Sequence, residues 1–88
     1  MPEFEWDEGN ADHIALHGVT TAEAEDALLD THRLGAGARN VRGERRHAML
    51  GCTADGRLLY VVFTLRGRAI RVVTARNATP PERRRYEK

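Results

Sequence analysis

At 88 residues, with 41% hydrophobic and 31% charged side chains, the chain is long enough for one small domain and too apolar for a disordered one. No apolar run approaches the roughly twenty residues of a membrane span, and the acidic N-terminus is unlike a signal peptide. The lone Cys52 has no disulfide partner and no companion cysteine for a metal site, which fits an intracellular, cytoplasmic setting. The net charge of +1 hides a split. Residues 1–38 hold nine acids and one base, Arg33, whereas residues 39–88 hold thirteen bases, twelve of them Arg, and four acids. Some neutralisation between the halves is expected. The density of arginine, whose planar fork suits phosphate, also points to an anionic partner such as nucleic acid.

Taken in order, Phe4-Glu5-Trp6 alternates as a short strand or an extended arm anchored by Trp6. Asp7 is a good N-cap, and Asn10 to His17 predicts a short helix stopped by Gly18. Thr20 with Glu23 is a capping-box pair that opens a second helix, Ala22 to about Asp30, packing Ala24, Ala27 and Leu28 on a sheet. Thr31 to Gly43 is polar and glycine-rich, equally suited to a weak edge strand or a mobile loop. Glu44 to Cys52 alternates as a strand, and Ala54-Asp55-Gly56 is a turn.

The stretch Arg57 to Arg76 predicts a β-hairpin with a two-residue loop at Arg66-Gly67. That register sets Phe63 opposite Ile70 and Val61 opposite Val72. Leu59, Val61, Phe63, Ile70 and Val72 then form a core face, and Tyr60, Val62, Thr64, Arg71 and Val73 a second, more polar one. It also sets Arg57 opposite Arg76, a like-charge pair that is unfavourable without an anion between them. Thr79, Pro80, Pro81 and Glu82 open a last helix through Tyr86, its one apolar anchor.

Several local patterns then coincide in order. They are Phe4 to Asn10 (FEWDEGN), His13-Ile14 with His17-Gly18-Val19, Gly43-Glu44 with Arg46, Gly51, Gly56 to Thr64 (GRLLYVVFT), Ile70 to Arg76 (IRVVTAR) and Glu82 to Tyr86 (ERRRY). Together they span Phe4 to Glu87, and the chain resembles the BrnT family of toxins. It departs from the usual pattern at Val73-Thr74, where Ile-Ser is common, at Asn77, and at Pro80-Pro81. The resemblance implies a small RelE-like α+β fold with two N-terminal helices, an antiparallel sheet around a central hairpin, and a short C-terminal helix. It implies a ribonuclease toxin that blocks translation, and an antitoxin partner of the BrnA type with a ribbon-helix-helix domain. DNA would be met only through that antitoxin.

Metal-free RNA cleavage by the 2′-hydroxyl needs a base, an acid and cations for the developing phosphorane charge. Arg71 in mid-strand, Arg76 at its strand's end, Arg46, its neighbour Glu44, and His17 are the candidate catalytic residues. Each also has a structural alternative: an ion pair for the arginines, and a helix C-terminal position for His17. Arg57, Arg83, Arg84 and Tyr86 are candidate RNA contacts, the last also the anchor of its helix, and Glu82 is a capping group before it is a base. His13 and His17 stand at metal-ligand spacing, but nothing completes a site, and no metal or cofactor is expected. The alternative function is a catalytically weak RNA- or antitoxin-binding module that acts in repression of its own operon.

Overall fold

The computed structural model describes residues 2–88. Its elements are β1 (Glu3–Glu5), α1 (Glu8–Ala15), α2 (Thr21–Leu29), β2 (Leu34–Val41), β3 (Glu44–Cys52), β4 (Leu58–Arg66), β5 (Ala69–Asn77) and α3 (Pro80–Tyr86). The five strands form one sheet in the order β1-β5-β4-β3-β2. It is mixed, which corrects the expectation of an antiparallel sheet. β1 adds to the outer edge of β5 in parallel, with Phe4 beside Ile70, while the other pairs are antiparallel. Three residues are too few for their pattern to show a direction, and the long path through both N-terminal helices permits the parallel return.

The helix starts are local and follow the sequence. Asp7 caps α1 by accepting from Asn10 N at 3.1 Å, and Asn10 Oδ1 accepts in return from Asp7 N at 2.8 Å. This capping box starts the helix two residues earlier than Asn10. Asn10 is buried, and its Nδ2 donates to Glu5 O and Val72 O, both at 3.0 Å. The side chain thus takes over the β5 edge where β1 ends, and it fixes α1 there. Thr20 and Glu23 cap α2 reciprocally, as do Thr79 and Glu82 for α3.

Ile14, Val19, Ala24, Ala27 and Leu28 pack on Leu59, Val61, Val72 and Ala75 of the sheet to form the core. Each fully buried Val or Leu contributes about 1.5–3 kcal/mol. On the opposite face Leu50 and Leu58 are also buried, at the end where α3 crosses β3 and Tyr86 Oη donates to Asp30. The polar stretch after α2 is the edge strand β2, paired to β3 with a bulge between Gly35 and Ala38.

The hairpin differs from its expected register. Its loop is Gly67-Arg68, between the paired Arg66 and Ala69. Gly67 has φ +59° and occupies the first loop position, where a II′ turn requires glycine. Phe63 therefore lies opposite Val72, not Ile70, a shift of two residues that keeps the core and open faces as expected. A bulge at Val73 then carries the register from Phe63–Val72 to Val62–Thr74. Arg57 is consequently not opposite Arg76. Tyr60 is.

Gly51 faces α2 so closely that a Cβ there would lie 1.9 Å from the Ala27 carbonyl oxygen. Gly51→Ala is therefore expected to lower the unfolding free energy by about 3 kcal/mol, the upper part of the usual overpacking range. Gly35→Ala, with nothing within 4 Å of the added carbon, should change it by less than about 0.5 kcal/mol. Urea denaturation of the two variants checks this contrast.

Candidate nucleic-acid interface

Arg76 lies five positions after Arg71, so a regular strand would send them to opposite faces. The Val73 bulge brings both onto the face away from α2, which α1 borders at the β5 edge, with Arg71 across from Thr64 and Arg76 across from Tyr60. By register Arg46, Ala48, Val62 and Arg66 share that face.

Six charges run across it as one alternating chain. Asp7 meets Arg71 at 2.9 Å, Arg71 meets Glu5 at 3.0 Å, and Glu5 meets Arg66 at 3.4 Å. Arg66 reaches Glu44 at 3.5 Å, and Glu44 pairs with Arg46 at 3.3 Å. Arg71 is the most enclosed member, its side chain 17% exposed. Its hydrogen bonds hold the Asp7 carboxyl below the usual carboxylate range. A groove of about 640 Å³ opens along this chain, lined by Glu44, Arg46, Thr64, Arg66 and Arg71, with His13 and Thr74 on its other side. His13 Nε2 lies 3.1 Å from Thr74 Oγ1.

Arg71, Arg46 and Glu44 are thus brought together as the sequence suggested, and the remaining candidates lie elsewhere. His17 is exposed outside the groove, its ring 5.5 Å from that of His13. Arg57 is tied to Glu23 at 3.1 Å, to Gly18 O at 2.8 Å and to Asn77 at 2.7 Å. Arg83 and Arg84 are exposed on α3, and Tyr86 is turned inward to Asp30. The groove also holds two residues that the sequence did not single out for this role. His13 follows the anchored Asn10 by three residues, close to one helical turn, which was the available signal. Arg66 falls in the loop of the expected register, and only the true turn position places it at the end of β4. Among the described residues no three His, Cys, Asp or Glu side chains converge as a metal would need.

Arg76 forms a separate cluster. Its guanidinium grips Glu82 through two bonds of 2.8 and 3.0 Å, and its Cζ sits 4.1 Å from the centre of the Tyr60 ring. The Arg76 hydrogen bonds hold Glu82 well below its usual 4.5, at about 2, against the opposing effect of burial. A carboxyl lowered on folding adds stability above its unfolded value, and that stability is lost as pH falls through the folded value. Glutamine keeps the cap but not the charge. The melting temperatures of wild type and Glu82→Gln should therefore differ near neutral pH and converge as pH falls from 4.5 to about 2. A gap that persists at the acid end would place the difference outside the Arg76–Glu82 pair.

No helix among the described residues is long and apolar enough to cross a membrane. A search of curated proteins gives no match. The crystal structure of the Brucella abortus ribonuclease toxin BrnT is similar, with a TM-score of 0.60 at 24% identity, over 90% of this chain and 99% of that one. At this identity the likeness shows the fold, a three-helix α+β unit with a mixed sheet. The sequence model for the ribonuclease toxin BrnT of type II toxin–antitoxin systems matches residues 6–82. The chain belongs to the BrnT family of ribonuclease toxins.

Proposed function

We propose that this chain is an endoribonuclease toxin that cleaves RNA by metal-independent acid–base chemistry in the groove over Arg71. One observation carries this: three guanidinium groups and a histidine line a single groove on the open sheet face. The 2′-oxygen attacks the neighbouring phosphorus, its proton passes to a base, the P–O5′ bond breaks, and the leaving 5′-oxygen takes a proton from an acid. Arg46, Arg66 and Arg71 would face the phosphate and offset the charge that builds on its oxygens. For Arg71 to do so, phosphate must replace Glu5 or Asp7 as its partner. His13 lines the groove and is the candidate base or acid, with Glu44 as the other group and His17 as an alternate one helical turn away. Arg76 supports the site from Tyr60 and α3. Arg57, Arg83, Arg84 and Tyr86 are outlying contacts for the RNA chain.

The same face offers the antitoxin its target. A partner that covers it must bring acid for the arginines and apolar groups for Val62, Val73 and Tyr60, so it would block RNA directly. We assign this partner to the ribbon-helix-helix BrnA type, the setting to the cytoplasm, and the outcome of free toxin to arrest of translation. One observation favours a catalytically silent module instead: Arg46, Arg66 and Arg71 are each already paired with the chain's own carboxylates.

Purified protein incubated with RNA in EDTA separates the two. Cleavage should persist in EDTA and fall about 100-fold or more in His13→Ala, the usual effect of losing an acid–base group. Arg46→Ala and Arg71→Ala should slow it as well, while Arg83→Ala and Arg84→Ala should alter only the salt dependence of binding. A fully active His13→Ala would move the proton transfer elsewhere. Cleavage lost in EDTA and restored by one metal would overturn the metal-free route.

A further inference from the structure

A second groove, of about 350 Å³, lies on the same sheet face at the other side of Arg46. This is the small end of the roughly 300–1,000 Å³ range of small-molecule sites. Its chemistry differs from that of the first. Ala48 and Val62, cross-strand partners on β3 and β4, form an apolar floor, and the Tyr60 ring closes one end. On the β2 side the wall is low, because Ala36 is small and the bulge between Gly35 and Ala38 interrupts pairing there. Arg39 and Arg46 stand directly opposite each other at the rim, a like-charge pair that an anion would relieve. Arg39 has no ion-pair partner among the described residues, and Arg46 is the one side chain that lines both grooves.

A charged groove and an apolar one that meet at a single arginine match the two halves of a nucleotide. We propose that the Ala48–Val62–Tyr60 groove is a subsite for one unstacked base of single-stranded RNA, beside the phosphate held along Arg46, Arg66 and Arg71. It rests on the phosphate assignment made above. Single strands are recognised by splaying bases onto aromatic or guanidinium planes, whereas a paired base would first have to unpair and unstack to enter. The Tyr60 ring is held in place by Arg76 on its face, and Arg76 in turn by Glu82, so the groove's end wall is fixed before any base arrives. The floor presents methyl groups, so the subsite accepts any base and discriminates weakly between them.

The test uses the purified full chain and two short 2′-O-methyl oligonucleotides of equal length and charge, one with bases and one abasic. Dissociation constants are read by fluorescence anisotropy. The base-bearing strand should bind roughly tenfold more tightly, as expected for one well-placed base. Ala36→Leu and Val62→Phe, which fill the groove, should each remove that preference and leave abasic binding at its wild-type value. They lie on different strands, so a folding defect in one leaves the other to decide. Equal binding of both strands by wild type, or a preference that survives both substitutions, overturns the base subsite and leaves the phosphate assignment standing. Failure of both strands to bind at all overturns both assignments. Substitutions that spare the preference but abolish antitoxin binding would give the groove to the protein partner instead.

Discussion

The extra residue at Val73 is the constraint on which the open face depends. Val72 and Ala75 both point into the core, although they are three positions apart, and Arg71 and Arg76 both point away from it, although they are five positions apart. A regular strand would satisfy only one member of each pair. Without the bulge, burial of Ala75 against Val61 would put Arg71 into the apolar layer beneath α1, at a prohibitive desolvation cost. The bulge resolves the conflict by inserting one residue, and Val73 then joins Thr74 along the wall of the charged groove. A packing requirement and the presentation of two arginines are thus met by a single backbone irregularity.

The charge split along the sequence also takes its meaning from this geometry. Glu5 and Asp7 come from the acidic half and Arg66 and Arg71 from the basic half, and they meet because β1 lies parallel to β5. Glu23 and Arg57 join the halves on the other side. Exposed ion pairs contribute little singly, about 0–1 kcal/mol each. Their alternation matters more. A chain of three acids and three bases is neutral, so in the proposed site an incoming phosphate would not find free cations. It would have to exchange with the carboxylates of Glu5, Asp7 and Glu44 that already pair with the arginines.

What was legible in the sequence was local. Asp7, Thr20 and Thr79 each cap a helix through atoms within three residues, so four-residue windows were enough. The faces of β4, and of β5 as far as Val72, were legible as well, because an error of two residues preserves side-chain parity; past Val73 the error becomes three and the faces reverse. The turn itself was not, since Gly67 can stand at either loop position and neighbouring Arg residues give no preference. The bulge was invisible because Val72, Val73, Thr74 and Ala75 all suit a strand, and only the demand of Val61 for a buried partner selects the offset. β2 was ambiguous for a related reason: its residues have little to bury, and backbone pairing to β3 makes it a strand. His13 reads from the sequence only as a partner of His17 at metal-ligand spacing, because its position on the groove follows from the anchoring of Asn10 to Val72 O, a contact 62 residues apart.

The last helix shows how local and distant terms combine at this face. Seven residues are too few for an isolated helix to persist in water, even with a capping box and Pro at its start. Two polar clamps hold α3 down instead. Glu82 is gripped by Arg76 at one end, and Tyr86 donates to Asp30 near the other. Asp30 also accepts from Cys52 N, and it pushes the Tyr86 phenol up, so this proton stays on the tyrosine. Beneath the helix Leu50 and Leu58 are sealed from water. Arg83, Arg84 and Arg85 are therefore carried on a docked element at a set distance from Tyr60, not on a loose tail. If RNA lies on the sheet face as proposed, a strand leaving on that side would meet these charges in a defined direction, and they would position its backbone without reading its sequence.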